Sequence, residues 1–405
     1  MEAVKVKKAN KKPWMRYRHK VITELARLVL TPVAKWKFGV KVERFQEQGD
    51  RAYLVLFNHQ TSFDQFFVGM SFRGPIYYLA TEDIFSLGWL SSLLRWAVAP
   101  IPIKKQTTDP KAVMNCIRVA REGGTIALAP EGNRTYHGRL VHINPAIAAM
   151  AKKMKLPIAL YHIEGGYGVQ PRWCDSTRKG TMRAYVSQVI EPEEYANWTA
   201  QELCDRICRG LAVDEAVVSG EYRGKKLAEY LERAMYVCPD CGLSVFESHQ
   251  DIIACKRCGW KIRYLPTREL EGVDKPFPFR FVADWYDYQC DYVNQLNTLD
   301  MVQQPIYQGE ARVSQVIVYK HKKLLHKNAK IALYGDRITV NDRVLSFADI
   351  YGIAVLGRNK LNIYHNEMIC QLKGDPRFNA LKYVNIYYRS RNLTRGEERE
   401  QFLGL

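Results

Sequence analysis

The chain has 405 residues, 47% apolar, 12% aromatic and 25% charged, a globular composition that excludes disorder over most of its length, collagen and coiled-coil rods, and suggests two or three domains. Its 60 Lys+Arg against 42 Asp+Glu give +18, a surplus that calls for an anionic partner: nucleic acid, a membrane surface, or a phosphorylated or acidic substrate. No run of about 18 uncharged apolar residues could span a bilayer, and no signal-peptide pattern is present, so the expectation is a folded intracellular protein.

In chain order, residues 1–39 come first and carry about half of the charge surplus. Eleven cations from Lys5 to Lys37 face only Glu2 and Glu24. Trp14, Tyr17, Val21, Leu25, Leu28 and Val29 recur at three- and four-residue spacing, with Lys20, Glu24 and Arg27 between them, until Pro32 is expected to interrupt the helix. A basic amphipathic helix with an aromatic face suits a bilayer interface; the alternative is a helix packed on its own domain with its lysines in solvent.

Residues 40–213 alternate short apolar runs with helices. YLVLF (53–57), PIYYLA (75–80), IPI (101–103), TIALAP (125–130), PIALYHI (157–163) and RAYVSQVI (183–190) read as strands. Asp109-Pro110, Pro145 and Thr199 open the intervening helices. This alternation predicts an α/β domain with a substantially parallel sheet. Residues 214–234 read as a helical linker, 235–265 as a cysteine-rich module and 266–300 as a helical connector. Residues 301–405 read as a small β-rich domain closed by a helix, resembling a PH-like domain, with turns at Gly335-Asp336, Asn341-Asp342 and His365-Asn366.

Two motifs carry chemistry. After YLVLF comes NHQTSFD, with His59 five positions before Asp64. An imidazole at a strand end takes a proton near neutral pH, and a carboxylate beside it fixes the tautomer and stabilises the imidazolium. At the end of TIALAP sits PEGNRT, where Glu131, Gly132 and Arg134 place a carboxylate, free backbone amides and a guanidinium at the strand edge where α/β sheets bind ligands. Arg matches a phosphate through a bidentate fork. No G-x-S-x-G nucleophile elbow is present.

NHQTSFD, APIPIKK (99–105), APEGNRT (129–135) and LPIALYHI (156–163) follow the order and spacing of the four motifs of the glycerophospholipid acyltransferases. Residues 40–213 resemble that family, most closely its lysophosphatidic acid acyltransferases. The second motif departs from it: Ala99 and Lys105 stand where the family usually has Gly and a closing Arg. The resemblance implies an α/β acyltransferase domain that moves an acyl chain from acyl-CoA or acyl carrier protein to the sn-2 hydroxyl of lysophosphatidic acid, giving phosphatidic acid. His59 would be the general base and Asp64 its support; Arg134 with Lys104 or Lys105 would bind the acceptor phosphate. Gly132 would allow close backbone approach, and Glu131 would order the loop or touch the acceptor. No catalytic cofactor is implied. The alternatives are a glycerol-3-phosphate or other lysolipid acyltransferase, and a non-catalytic lipid- or nucleic-acid-binding protein.

Cys238, Cys241, Cys255 and Cys258 form CPDCG and CKRCG, with 13 residues between the inner cysteines. Two such knuckles predict a zinc ribbon with one closed, structural zinc. The other six cysteines show no ligand pattern, which fits a reducing cytoplasm. Because the basic surplus lies at the other end of the chain, the ribbon reads as a docking module and nucleic acid as the disfavoured partner. The whole reads as a peripheral protein at the cytoplasmic face of an anionic membrane.

Overall fold

A computed structural model describes residues 13–81, 84–86, 88–103, 109–317, 322–366 and 368–396. Its first half contains α1 (Tyr17–Phe38), β1 (Val40–Val42), β2 (Leu54–Phe57), α2 (Asp64–Ser71), β3 (Ile76–Thr81), α3 (Trp89–Val98), β4 (Ile101–Ile103), α4 (Pro110–Arg121) and β5 (Thr125–Leu128). It continues with α5 (Ala146–Met154), β6 (Ile158–Glu164), the single turn α6 (Gly166–Val169), β7 (Met182–Ile190), α7 (Pro192–Tyr195) and α8 (Ala200–Leu211). The strands form one sheet in the order β1-β7-β6-β2-β5-β3-β4. β2 runs parallel to β5 and β6, and β3 to β5 and β4, while β6 and β7 are antiparallel.

Alternation along β2 explains the layering, since successive side chains point to opposite faces of a strand. Leu54 and Leu56 join Ile126, Ile158 and Leu160 under α4, α5 and α8. Val55 and Phe57 join Ala127, Ala159 and Tyr161 under α1 and α2. With both faces covered, the strand reads as a continuous apolar run, as parallel sheets do. Helix starts follow their caps: the Asp109 carboxylate accepts from the Ala112 amide at 3.0 Å, and Thr199 and Glu202 form a reciprocal capping box on α8.

The N-terminal helix departs from expectation in three ways. α1 runs through Pro32 and ends only at Gly39, whose φ of 61° supplies the left-handed cap. Burial of Ala34 and Phe38 in the core beyond the proline outweighs the missing amide. Trp14 lies ahead of the helix, half-buried, with its indole N–H on the Ala99 carbonyl, so it does not belong to the exposed stripe. Finally, Arg27 turns inward and donates to the Gly69, Phe72 and Arg73 carbonyls at the end of α2, while Tyr17, Val21, Leu25, Leu28, Val29 and Trp36 face outward.

The second half contains β8 (Val237–Cys238), β9 (Gly242–Leu243), β10 (Phe246–His249), β11 (Ile252–Cys255), β12 (Lys261–Tyr264), β13 (Leu270–Gly272) and α9 (Val282–Gln295). Then follow β14 (Tyr307–Val316), β15 (Lys323–Leu333), β16 (Arg337–Val340), β17 (Arg343–Ser346), β18 (Ile350–Leu356), β19 (Lys360–His365), β20 (Met368–Lys373) and α10 (Leu381–Arg395). The last seven strands form a half-barrel ordered β17-β16-β15-β14-β20-β19-β18, with α10 packed on it. Its hairpins turn where the Gly-Asp, Asn-Asp and His-Asn pairs were read.

The expected helical linker over 214–234 is not helical. Among its described residues only Leu231–Arg233 makes a 3₁₀ turn. The chain instead threads between units: Arg223 pairs with Lys179, and Tyr222, Leu227, Ala228 and Leu231 are buried. Gly220 and Gly224 break any helical run, and burial of these apolar residues on both sides outweighs the helix propensity of the charged ones. The 266–300 connector is helical only over α9 and the 3₁₀ turn Thr298–Asp300; β13 and turns precede it. One large core joins the two halves, because Tyr136 and Trp173 from the first half sit among Phe246, Trp285 and Tyr387 of the second.

Candidate active site

His59 and Asp64 come together where β2 ends and α2 begins. The imidazole Nδ1 lies 2.8 Å from Asp64 Oδ2. Asp64 is fully buried and its carboxylate accepts from the Gln60 amide at 2.7 Å, the Thr61 amide at 2.9 Å and the Thr61 hydroxyl at 2.6 Å. A carboxylate so encircled holds one orientation. It fixes the proton on Nδ1 and leaves Nε2 as the basic atom. Burial holds the His59 pKa below 6.5, opposed by Asp64 and reinforced by Arg134 and Arg172, so the imidazole is neutral at pH 7 and ready to accept a proton.

Glu131 resolves to one of its two expected roles. Its carboxylate accepts from the His59 amide at 2.8 Å and the Val141 amide at 3.1 Å, and the Thr135 amide donates back to the His59 carbonyl at 3.1 Å. Buried and turned onto backbone, it fastens the PEGNRT loop to the His59 turn. Burial pushes its carboxyl up to about 8. Gly132 sits at φ 69° with open space over its α-carbon, so the left-handed turn, not crowding, requires glycine there. Asn58 is structural: its amide exchanges two hydrogen bonds with the Ile163 backbone, at 2.8 and 2.7 Å, and locks β2 to β6.

Arg134 joins the same cluster of side chains through Gln170 Oε1 at 3.4 Å. Burial, with Arg172 nearby, lowers its guanidinium to about 10, which leaves it charged at pH 7. Lys104 and Lys105 lie outside the described residues. Two further residues shape the site without a sequence motif. Gln170 also accepts from the Ser62 amide and hydroxyl at 3.0 and 2.8 Å. Arg172, almost wholly buried, donates to the Arg134 carbonyl at 2.9 Å and Asn133 Oδ1 at 3.2 Å. Both follow the C-terminal end of β6 through Gly165-Gly166-Tyr167-Gly168. That strand edge is where an α/β sheet collects ligand-binding residues, and it was the available signal.

In the second half of the chain, the Sγ atoms of Cys238, Cys241, Cys255 and Cys258 all lie within 4.8 Å of one another, and Cys238 and Cys258 are 3.7 Å apart. A tetrahedron of thiolates at a Zn–S distance of about 2.3 Å has edges of about 3.8 Å, so the set fits one metal ion. Gly242 and Gly259, each after the second cysteine of its pair, take φ of 71° and 77° and form the knuckles.

Residues 39–161 match the acyltransferase family model. The chain therefore carries an acyltransferase domain over that span. Over 166 residues, 40% of this chain and 80% of its relative, it is 20% identical to the 1-acyl-sn-glycerol-3-phosphate acyltransferase of Bacillus subtilis (strain 168). Among solved structures, the 1-acyl-sn-glycerophosphate (LPA) acyltransferase of Thermotoga maritima is 18% identical with a TM-score of 0.40, covering 49% of this chain and 82% of that one. The His59–Asp64 turn and the PEGNRT loop lie inside the matched span, and Gln170 and Arg172 lie beyond it.

Proposed function

We propose that the acyltransferase esterifies the sn-2 hydroxyl of 1-acyl-sn-glycerol-3-phosphate from an acyl thioester, carried by coenzyme A or acyl carrier protein, to give phosphatidic acid. The observation that carries this reading is the His59–Asp64 pair beside Arg134, a cation with no carboxylate within ion-pair distance among the described residues. His59 Nε2 removes the hydroxyl proton as the oxygen attacks the thioester carbonyl. The tetrahedral intermediate collapses with cleavage of the C–S bond, and the imidazolium returns its proton to the departing thiolate. Asp64 balances the transient positive charge. Turnover of purified protein with a panel of lysolipids and glycerol 3-phosphate, using both donor types, tests the reading; transfer only to phosphate-free acceptors overturns it.

Arg134→Ala is expected to raise the acceptor KM at least tenfold with a smaller change in kcat, because one charge-assisted phosphate contact is removed while the loop backbone stays tied down. Steady-state kinetics at varied acceptor concentration check it, and an unchanged KM removes Arg134 from that role.

The reading extends to a peripheral location at the cytoplasmic face of an anionic membrane. Its support is the outward apolar face of α1 together with α3, where Trp36 is 86% and Trp89 75% exposed; a surface of this kind marks an interaction site. Among the described residues no helix is long and apolar enough to cross a membrane. Replacing Trp36 and Trp89 with serine is expected to cut sedimentation with anionic vesicles tenfold or more without lowering thermal stability. Salt at 1 M, where the Debye length is about 3 Å, should only weaken binding of the parent protein. Equal sedimentation of variant and parent places the anchor elsewhere.

Zinc in the four-cysteine site belongs to the same proposal. Four thiolates would leave no open position for water, so the ion would supply folding energy and no chemistry. The β8–β13 region then acts as a zinc ribbon that docks: Trp285 of α9 donates to the Val237 carbonyl at 2.9 Å, and Gln289 bonds the Tyr236 and Val237 amides. The four-then-three strand succession capped by α10 supports the PH-like reading of the C-terminal unit.

A further inference from the structure

Among the described residues, the C-terminal half-barrel meets the candidate site through Arg172. The turn between β18 and β19, Gly357-Arg358-Asn359, sits against the PEGNRT loop, and Arg172 is the strut between them. Its guanidinium donates to the Gly357 carbonyl at 3.1 Å and the Val355 carbonyl at 3.1 Å on one side. On the other it donates to the Arg134 carbonyl and Asn133 Oδ1, and it stacks 4.2 Å from the centroid of Tyr136. A single buried side chain thus ties the Arg134 backbone to the turn that carries Arg358.

Charge makes this arrangement informative. Arg134 and Arg172 have only neutral partners among the described residues: an amide oxygen, carbonyls and a ring. Arg358, 32% exposed, pairs at 3.0 Å with one oxygen of Asp175, and the buried Arg233 already holds that carboxylate from 2.6 Å. Burial without a counter-ion is costly for a guanidinium, and the nearby positive charge depresses the Arg134 pKa further. Arg134, Arg172 and Arg358 cluster here with Asp64 acting on Arg134 and Asp175 shared by Arg358 and Arg233, a positive excess that a dianion would balance.

We propose that Arg358 is a second headgroup-binding residue of the acyltransferase: it leaves Asp175 to Arg233 and joins Arg134 on the phosphate monoester of the acceptor. The C-terminal unit is therefore a specificity element that completes the acceptor site. This inference rests on the acceptor reading above. Both cations address the same phosphate, so their effects on binding are coupled.

Kinetics of Arg358→Gln and Arg358→Lys, alone and with Arg134→Ala, on 1-acyl-sn-glycerol 3-phosphate test it, with Asp175→Asn as the control. Arg358→Gln should raise the acceptor KM at least fivefold with kcat within a factor of two, and Arg358→Lys should recover part of that loss. The double variant should lose less than the product of the two single losses. Asp175→Asn should leave the acceptor KM unchanged or lower, since it frees Arg358. If Arg358 merely braces Asp175, Asp175→Asn and Arg358→Gln will show the same loss and the lysine will not rescue; that result, or an unchanged KM in Arg358→Gln, overturns the proposal. Melting curves identify any variant that fails to fold, and Arg358→Lys then carries the test. Absence of parent turnover on any phosphorylated acceptor would overturn the acceptor reading. An unchanged KM in Arg358→Gln with an active parent overturns this inference alone.

Discussion

Replacing His59 with alanine is expected to reduce acyl transfer by roughly 10²–10⁴-fold, the usual loss when a positioned general base is removed. The fold should survive, because the ring is partly exposed at a strand end and the backbone contacts of the turn, His59 amide to Glu131 and Thr135 amide to His59 carbonyl, need no imidazole. The pH profile supplies an independent check. Burial lowers the His59 pKa from 6.5, so the base is free above that value and its acid limb lies below it. Activity should hold as pH falls to 6.5 and decline only through the lowered pKa. Stability runs the same way: the unfolded chain binds the proton more readily, so the folded state loses ground as pH drops below 6.5. Near-parent turnover in a folded His59→Ala protein, or an acid limb centred above pH 6.5, would remove His59 from the role of base.

Replacing Cys238 and Cys241 with serine is expected to abolish metal binding and to collapse the stability of the whole second half. Structural zinc in small peptides contributes an apparent binding free energy of about 10–16 kcal/mol at pH 7, comparable with or larger than the roughly 5–15 kcal/mol that holds a typical domain folded. Cys238 and Cys255 are themselves members of the large core that contains Trp285, Tyr387 and Trp173, so little of that core can persist without the knuckles. Elemental analysis should show one zinc per parent chain and none in the variant. A variant melting at the parent temperature, or a parent chain without metal when prepared free of chelators, refutes this.

The grouping of the candidate site was legible because it is local. His59 and Asp64 are five residues apart and meet across one turn, and Glu131, Gly132 and Arg134 share a loop. The strands were legible because a sheet covered on both faces leaves continuous apolar runs. Arg172 was not, since its significance comes from residues 133, 134, 355 and 357 meeting in space; a lone arginine after a proline carries no pattern. The failure at Pro32 and over 214–234 has one physical cause. Propensity governs an isolated segment, while burial of Phe38 in the first case and of Tyr222 and Leu231 in the second decides the conformation in the assembled protein.

The shared core has a consequence during synthesis. Tyr136 and Trp173 emerge early but are covered by residues as late as Tyr387. At about 5–20 residues per second a ribosome needs roughly 10–40 s to deliver that cover. Until then Trp173 can pack on earlier neighbours such as Tyr264, but the core lacks its last layer and Arg172 has no hairpin to brace against. Holdase chaperones therefore have a defined window and a defined patch to protect. The Arg134 loop likewise gains its brace late in synthesis, when Val355 and Gly357 arrive to accept from Arg172.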